Sequence, residues 1–452
     1  MLTRICLSLA LLTATPVWSQ LESVPFEMPS SPTDEARMLT PPPVSGIAYP
    51  TTVGSQTRSN YLAAGLILNT AYDDNVLAGG SITPVHDVIY SILPTISVNQ
   101  TTLRQNLLLT YSPGFTIYQH TSALNATNQT AALNFQYHLT EHTTVVLSDF
   151  FQKSSNVFSQ LYPISGEAIS GSTQSQPAEV IAPYADRLAN TANVGITYQF
   201  ARNGMIGASG IAAESNYSDP KEAAGLYNSN SFGGSAFYSR RLSSTQYVGM
   251  TYQYLRTEGN PVIAQTNPGN AQTEVQTHTV LPFYTIYFSP ALSLSLSGGP
   301  QYFDATQFPS LPVHSWTPSA MASMGWQSSH TNFVASYLRT VTGSVGLPGA
   351  FSSNSANASV NWQIARTWAI ASAASYSINK NVTPLFFSSS PGGHTVSGTV
   401  SIQHSITEHL KAEIGYARLH QSYNDIAVIS NAPDSNREFI SISYQLTRPL
   451  GR

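Results

Sequence analysis

The chain has 452 residues, a formal net charge of -4 and only 9% charged residues, against about 25% in soluble globular proteins. Hydrophobic residues make up 42%, yet no run after residue 20 is long and apolar enough for a membrane helix, which excludes a helical membrane protein. The mildly acidic balance argues against a nucleic-acid partner, and a single cysteine, Cys6, excludes disulfides, zinc-thiolate sites and a cysteine nucleophile downstream of it.

Residues 1–19 read as a secretory signal peptide, with Arg4 as the positive region, Ile5 to Ala14 as a short apolar core, and Val17 and Ser19 at the cleavage site. The apolar run is too short to span a bilayer. Cys6 begins that core, which is the wrong place for lipid attachment. Residues 20–58 carry Pro25, Pro29, Pro32 and the run Pro41 to Pro43 without periodicity, and read as a disordered periplasmic arm. This stretch lacks an apolar core of its own, so neither a folded plug nor a TonB-type receptor is expected.

From residue 59 to 452 the chain alternates with period two, which places apolar side chains on one face of a strand and polar ones on the other. Leu62, Ala64, Leu66 and Leu68 alternate with Ala63, Gly65 and Asn69. Val88, Tyr90, Ile92, Ile96 and Val98 alternate with Ser91, Thr95, Ser97 and Asn99. Leu107, Leu109, Tyr111, Phe115 and Ile117 oppose Asn106, Thr110, Ser112, Gly114 and Thr116. The pattern recurs with Leu133, Phe135 and Tyr137 against Asn134 and Gln136, and with Val194, Ile196 and Tyr198 against Asn193, Gly195 and Thr197. Leu292, Leu294 and Leu296 oppose Ser293, Ser295 and Ser297, and the last strand sets Ile440, Ile442, Tyr444 and Leu446 against Ser441, Ser443 and Gln445.

Between residues 356 and 378 this becomes a long hairpin. Ala356, Ala358, Val360, Trp362 and Ile364 share one face, Asn357, Ser359, Asn361 and Gln363 the other, and Trp368 resumes the alternation after Ala365-Arg366-Thr367. Long strands with aromatics at their ends are the pattern of a transmembrane barrel. Segment counting gives about 18 strands in an all-β, antiparallel up-and-down barrel. Its connections alternate between short turns (near 100–102, 140–142, 201–204, 242–245, 289–290, 327–330, 365–367 and 407–409) and longer polar loops. That sorting predicts short periplasmic turns and long extracellular loops. Prolines 94, 113, 282 and 300, and ambiguous parity in 143–153 and 330–342, predict local bulges.

Aromatic residues end many strands beside the short turns: Tyr137, Tyr198, Trp326, Trp362, Trp368 and Tyr444. Their flat apolar bodies and polar tips suit a membrane–water boundary, so they are read as a girdle. The turn Tyr137-His-Leu-Thr-Glu-His142 is echoed by His404-Ser-Ile-Thr-Glu-His409. With the final Ser441-Ile-Ser-Tyr-Gln-Leu446 strand, these features resemble bacterial outer-membrane β-barrel porins, and loosely an uncharacterised barrel family associated with exopolysaccharide export. The resemblance covers 59–452. It implies outer-membrane lipid and the barrel-assembly machinery as partners, with an insertion signal at Tyr444–Leu446, although the chain runs on to Arg452 where such barrels often end on an aromatic. In general-diffusion porins the third loop narrows the lumen. That likeness makes Glu167 and Glu179, in the 154–186 loop, candidate constriction acids.

Polar-face parity makes Arg104, Asn134, Asn193, Asn361, Gln363, Lys411 and Glu413 candidate pore-lining residues. Tyr118, Phe237, Phe283 and Tyr287 share that parity and could offer stacking surfaces to a sugar. No catalytic motif, metal-ligand spacing or phosphate loop is present, so neither an enzyme nor a cofactor is expected. His138 and His142 flank a turn, His404 takes the lipid-facing parity, and Asp73, Asp74 and Asp425 read as solvated loop carboxylates. A hydrolytic triad gathered from neighbouring strands would leave no spacing to read. The expectation is a channel for small polar solutes or saccharides, or a conduit for polysaccharide. The alternative is a structural or adhesive barrel with a blocked lumen, and the oligomeric state is left open.

Overall fold

The computed structural model describes residues 60–76, 84–154, 186–219, 223, 225–262, 272–289, 291–307, 311–343, 346–383, 392–424 and 434–450. The expected leader and arm, Glu167, Glu179 and Asp425 lie outside the described residues. Six strands open the chain: β1 (Tyr61–Asp73), β2 (Asp87–Thr101), β3 (Gln105–Tyr118), β4 (Ala126–His138), β5 (Thr143–Ser154) and β6 (Arg187–Ala201). Next come β7 (Gly204–Tyr217), β8 (Tyr227–Ser243), β9 (Gln246–Pro261), β10 (Thr273–Ser289), β11 (Leu292–Gln307) and β12 (Val313–Gln327). The last six are β13 (Thr331–Gly343), β14 (Ala350–Ala365), β15 (Trp368–Asn381), β16 (Gly392–Ser405), β17 (Leu410–Tyr423) and β18 (Ser435–Pro449).

Each strand pairs antiparallel with its neighbours in the chain, and β1 pairs with β18, so the 18 strands form one closed barrel. Connections at one end are two to four residues long and at the other end five or more, as the loop pattern predicts. The alternation sorts the side chains. On β1, Leu62, Leu66, Leu68 and Tyr72 are exposed outside while Ala63, Asn69, Ala71 and Asp73 are buried. On β18, Ile440, Ile442, Tyr444 and Leu446 are exposed and Ser441 is buried. Repeated round the barrel, this makes an apolar outer band that hydrocarbon satisfies and water does not.

The prolines do not produce the expected bulges. Pairing lapses at Pro94/Pro113 and at Pro282/Pro300 but resumes in the same register, Ile92↔Phe115 continuing as Ile96↔Tyr111 and Thr279↔Gln301 as Phe283↔Ser297. Register shifts fall beside short turns instead, at Gln199/Ala201, Arg241/Ser243, Tyr287/Ser289 and Gln363/Ala365. A proline removes one donor and leaves the residue count unchanged, whereas a tight reversal of twisted strands is eased by one extra residue.

The closing seam is locked at its long-loop end. Asp73 accepts hydrogen bonds from Arg437 Nε at 3.1 Å, a terminal Arg437 nitrogen at 2.8 Å and Ser435 Oγ at 3.0 Å. The two side chains of this ion pair are 7% and 2% exposed, so Asp73 is not the solvated loop carboxylate the sequence suggests. Beside it, Asp74 accepts from the backbone and side chain of Asn436, both at 2.7 Å.

Two predictions follow from this arrangement. Arg437→Met should strand Asp73 as a buried lone charge, at a cost of about 3–5 kcal/mol. The barrel should then unfold at lower temperature in a heat-modifiability gel, and an unchanged transition would contradict the lock. Val360→Arg, on the outer band, should lose about 2–4 kcal/mol and impair assembly, whereas Asn361→Arg, on the inner face, should assemble normally. Equal behaviour of the two variants would mean the facing is wrong.

Candidate functional site

The lumen is lined by side chains of the parity opposite to the outer band. Asn134, Ser148 and Asn193 form one cross-strand row on β4, β5 and β6. Asn361 and Gln363 lie on the inner face of β14 near the short-turn end, and Lys411 and Glu413 near the same end of β17. Glu413 accepts from Gln403 Nε2 and from Ser441 Oγ, each at 3.4 Å. Arg104 is not a wall residue. It sits exposed in the β2–β3 turn, whose shape is set by Thr102 Oγ1 accepting from the Arg104 and Gln105 amides at 3.3 and 3.1 Å.

Charge on the inner face is sparse. Among the described strand residues of lumen parity, the cations are Arg187, Arg241, Lys411 and Arg437, and the carboxylates are Asp73, Asp87 and Glu413. The rest of the wall is rich in Ser, Thr, Asn and Gln. Such a surface solvates neutral polar solutes and carries only a weak field for ions.

Asp87 belongs to the rim above the apolar band. It accepts from the backbone amides of Val88 at 2.7 Å, His120 at 3.0 Å and Thr121 at 2.7 Å, and from Thr121 Oγ1 at 2.6 Å. The loop between β3 and β4 is tied to β2 through this side chain and through the Gln119 amide, which donates to Val88 O at 3.0 Å.

The two ends of the lumen differ. Ser359, Asn361, Gln363 and Lys411 are exposed inside the short-turn mouth, whereas Phe351, Ser353, Ser355, Ser377 and Leu419, towards the long loops, are buried. The lumen aromatics offer little platform for stacking: Tyr118, Phe237 and Phe283 are 7%, 9% and 3% exposed. Phe237 lies flat on Gly207 and Phe283 on Gly249, where a Cβ would meet the rings at 2.4 and 2.3 Å, and Tyr287 packs edge-on against Tyr247 at 5.9 Å. Each phenylalanine ring covers a glycine across the strand pair, which holds it against the wall.

The long-loop end is narrowed by the β13–β14 hairpin, at a connection that the alternation of turns and loops predicts as one of the longer polar loops. β12 and β13 pair only from Ala320↔Arg339 to Gln327↔Asn332. Beyond that point β13 leaves the wall and passes inside it. Val341 and Ala350 pack with Val275, Phe303 and Ala305, side chains on the inner faces of β10 and β11. A Cβ at Gly343 would meet the Cβ atoms of Val275 and Thr257 at 2.8 and 3.0 Å, so only glycine lets the strand approach this closely. Gly346 and Gly349 turn the chain with φ of 82° and 98°, and Gly346 O accepts from the amide of Tyr227, at the start of β8, at 3.0 Å. Leu347, Ala350 and Phe351 are fully buried. The signal was legible in composition: a loop carrying Val341, Leu347, Ala350 and Phe351 is too apolar for water.

On the outer face the predicted girdle residues lie beside the short turns. Tyr198, Trp326, Trp362, Trp368 and Tyr444 are exposed, and Tyr137 is half-buried on Phe135 at 6.2 Å. His404 stacks on Trp368 at 4.2 Å, in keeping with its lipid-facing parity. A second aromatic belt, unread in the sequence, lies towards the long loops. There His278 touches Tyr252, Tyr254 and Tyr302, and Tyr302 touches Trp316 at 5.3 Å. Among the described residues, no three His, Cys, Asp or Glu side chains converge as metal ligands would.

No protein-family model and no curated protein matches the chain. Solved structures with a similar fold include the FrpB iron transporter from Neisseria meningitidis (F3-3 variant), at a TM-score of 0.42 and 12% identity over 82% of this chain and 63% of that one. OpdL from Pseudomonas aeruginosa aligns at 0.38 with 9% identity, over 86% and 99% of the two chains. The ferric citrate transporter FecA in its unliganded form aligns at 0.40 with 10% identity, over 86% and 65%. This chain therefore spans less than two thirds of the FrpB variant and of FecA. Likeness at this level says nothing of cargo.

Proposed function

We propose that the protein is an outer-membrane channel, with its short turns in the periplasm and its long loops outside, through which small polar solutes diffuse. The observation that carries this reading is the inner wall itself: exposed, polar and close to neutral at the short-turn mouth, and narrowed by the β13–β14 hairpin at the other. A closed barrel with an apolar outer band needs a bilayer, and a barrel of 18 strands is wide enough to hold water. Selectivity on this reading comes from the width left beside the hairpin and from hydrogen bonding to Ser, Thr, Asn and Gln. Neutral solutes such as small saccharides fit better than strongly charged ones. Recognition would rest on hydrogen bonds, because the aromatic rings lie against the wall. A polysaccharide conduit would require the hairpin to withdraw. On this reading its partners are outer-membrane lipid and the assembly machinery, and the chemistry is transport without catalysis.

The same packed hairpin favours a second reading, a structural or adhesive barrel whose lumen is shut. Purified protein in a planar bilayer separates the two. The channel reading expects discrete conductance steps with weak preference between anions and cations, and Lys411→Glu, at the mouth, should move that preference towards cations. A bilayer that stays sealed would sink the channel and leave the adhesive barrel.

A further inference from the structure

The incomplete seam has a local cause. Pro300 and Pro318 face each other across β11 and β12. Two residues without N–H groups cannot form a hydrogen-bonded pair, so they occupy a non-bonded position, and the Pro318 backbone points towards β13. Residues 318 and 320 share that direction. The last β12–β13 pair is Ala320↔Arg339, and the next bonded pair would match Pro318 with Val341. The seam ends where β12 has no donor to give.

Val341 is satisfied in another way. Gln301, 1% exposed on the inner face of β11, accepts from the Val341 amide at 2.7 Å and donates to the Val341 carbonyl at 3.0 Å. Its amide makes the two bonds that a neighbouring strand would make. Among the described residues, β12 meanwhile has no β13 partner from Val313 to Ser319, and Trp316 is 67% exposed on that edge.

We propose that Gln301 is a latch and that the Thr340–Gly343 end of β13, with the adjoining start of β14, is a gate. The gate opens when this segment leaves Gln301 and zips onto the bare edge of β12. Continuing the observed register would then set Thr342 opposite Thr317 and Gly343 opposite Trp316. This rests on the channel reading and adds how the channel is controlled. Both states are physically accessible. Closed, the Val341 backbone is bonded by Gln301 and the β12 edge is bare; open, that edge gains a partner and only the Pro318 donor is missing. Against β10 and β11 the closed segment packs through the small cluster around Val341 and Ala350, and among the described residues the buried Ser353, Ser355 and Ser377 hydroxyls have no hydrogen-bond partner. Two packings of similar satisfaction make a bistable element.

The test uses the full chain with Cys6→Ser and two cysteine pairs. Thr317→Cys with Thr342→Cys should cross-link only in the open state, at a non-bonded pair position suited to a disulfide. Val275→Cys with Val341→Cys, two positions packed in one cluster, should cross-link only in the closed state. Oxidation should raise conductance in the first protein and lower it in the second, with reversal on reduction. Adding Gln301→Leu or Pro318→Ala to the first should speed its cross-linking about tenfold, the effect of two ordinary hydrogen bonds lost from one state or a donor regained by the other. Failure of the 317/342 pair to cross-link while the 275/341 pair does, or conductance unchanged by either lock, overturns the gate and leaves the channel standing. Absence of conductance even in the protein locked open overturns the channel reading, and the gate with it.

Discussion

Hydrocarbon offers no water to a free backbone N–H or C=O, so a sheet that crosses a bilayer has to close on itself. Most of this molecule follows from that requirement. Strand length, the unbroken β1–β18 register and the short turns all serve continuous pairing. The ion pair of Asp73 with Arg437 fixes the seam where first strand meets last. Prolines within the strands are tolerated because each deletes a single donor and the ladder resumes in register beyond it.

The exception is informative for the same reason. Where Pro318 would have had to serve β13, the wall opens, and the released strand is caught from inside by the side-chain amide of Gln301. That capture draws the β13–β14 hairpin across the inner faces of β10 and β11 and narrows one end of the lumen. A defect in pairing thus becomes the feature that shapes the pathway. The other mouth stays lined by exposed Ser359, Asn361, Gln363 and Lys411. With cations and carboxylates nearly balanced along the wall, size and hydrogen bonding are left to discriminate among solutes.

The barrel was legible in the sequence because its physics is local. Period-two alternation, as at Ala356–Gln363, names the face of every side chain without reference to any other strand. The short turns and the girdle from Trp362 to Tyr444 were legible for the same reason. Arg104 was misplaced because Thr102 starts the turn later than the alternation suggests. The constriction that the resemblance implies, in the 154–186 loop, falls outside the described residues, and among those described a short apolar hairpin narrows the lumen. Its position depends on Gln301 and Val341, 40 residues apart, and such a contact leaves no periodicity to read. The lumen aromatics show the same limit: parity places Phe283 inside, but only the partner Gly249 reveals that the ring lies flat.

The central claim is a water-filled lumen that is open at one end and packed at the other, and single cysteines placed in turn along β14 test it directly. A membrane-impermeant thiol reagent should modify cysteines at Asn357, Ser359, Asn361 and Gln363, spare those at Ala356, Ala358 and Val360 in the lipid, and react slowly at Ser353 and Ser355 under the hairpin. Uniform protection of the first four positions, or equal reaction on both faces of the strand, would contradict the account.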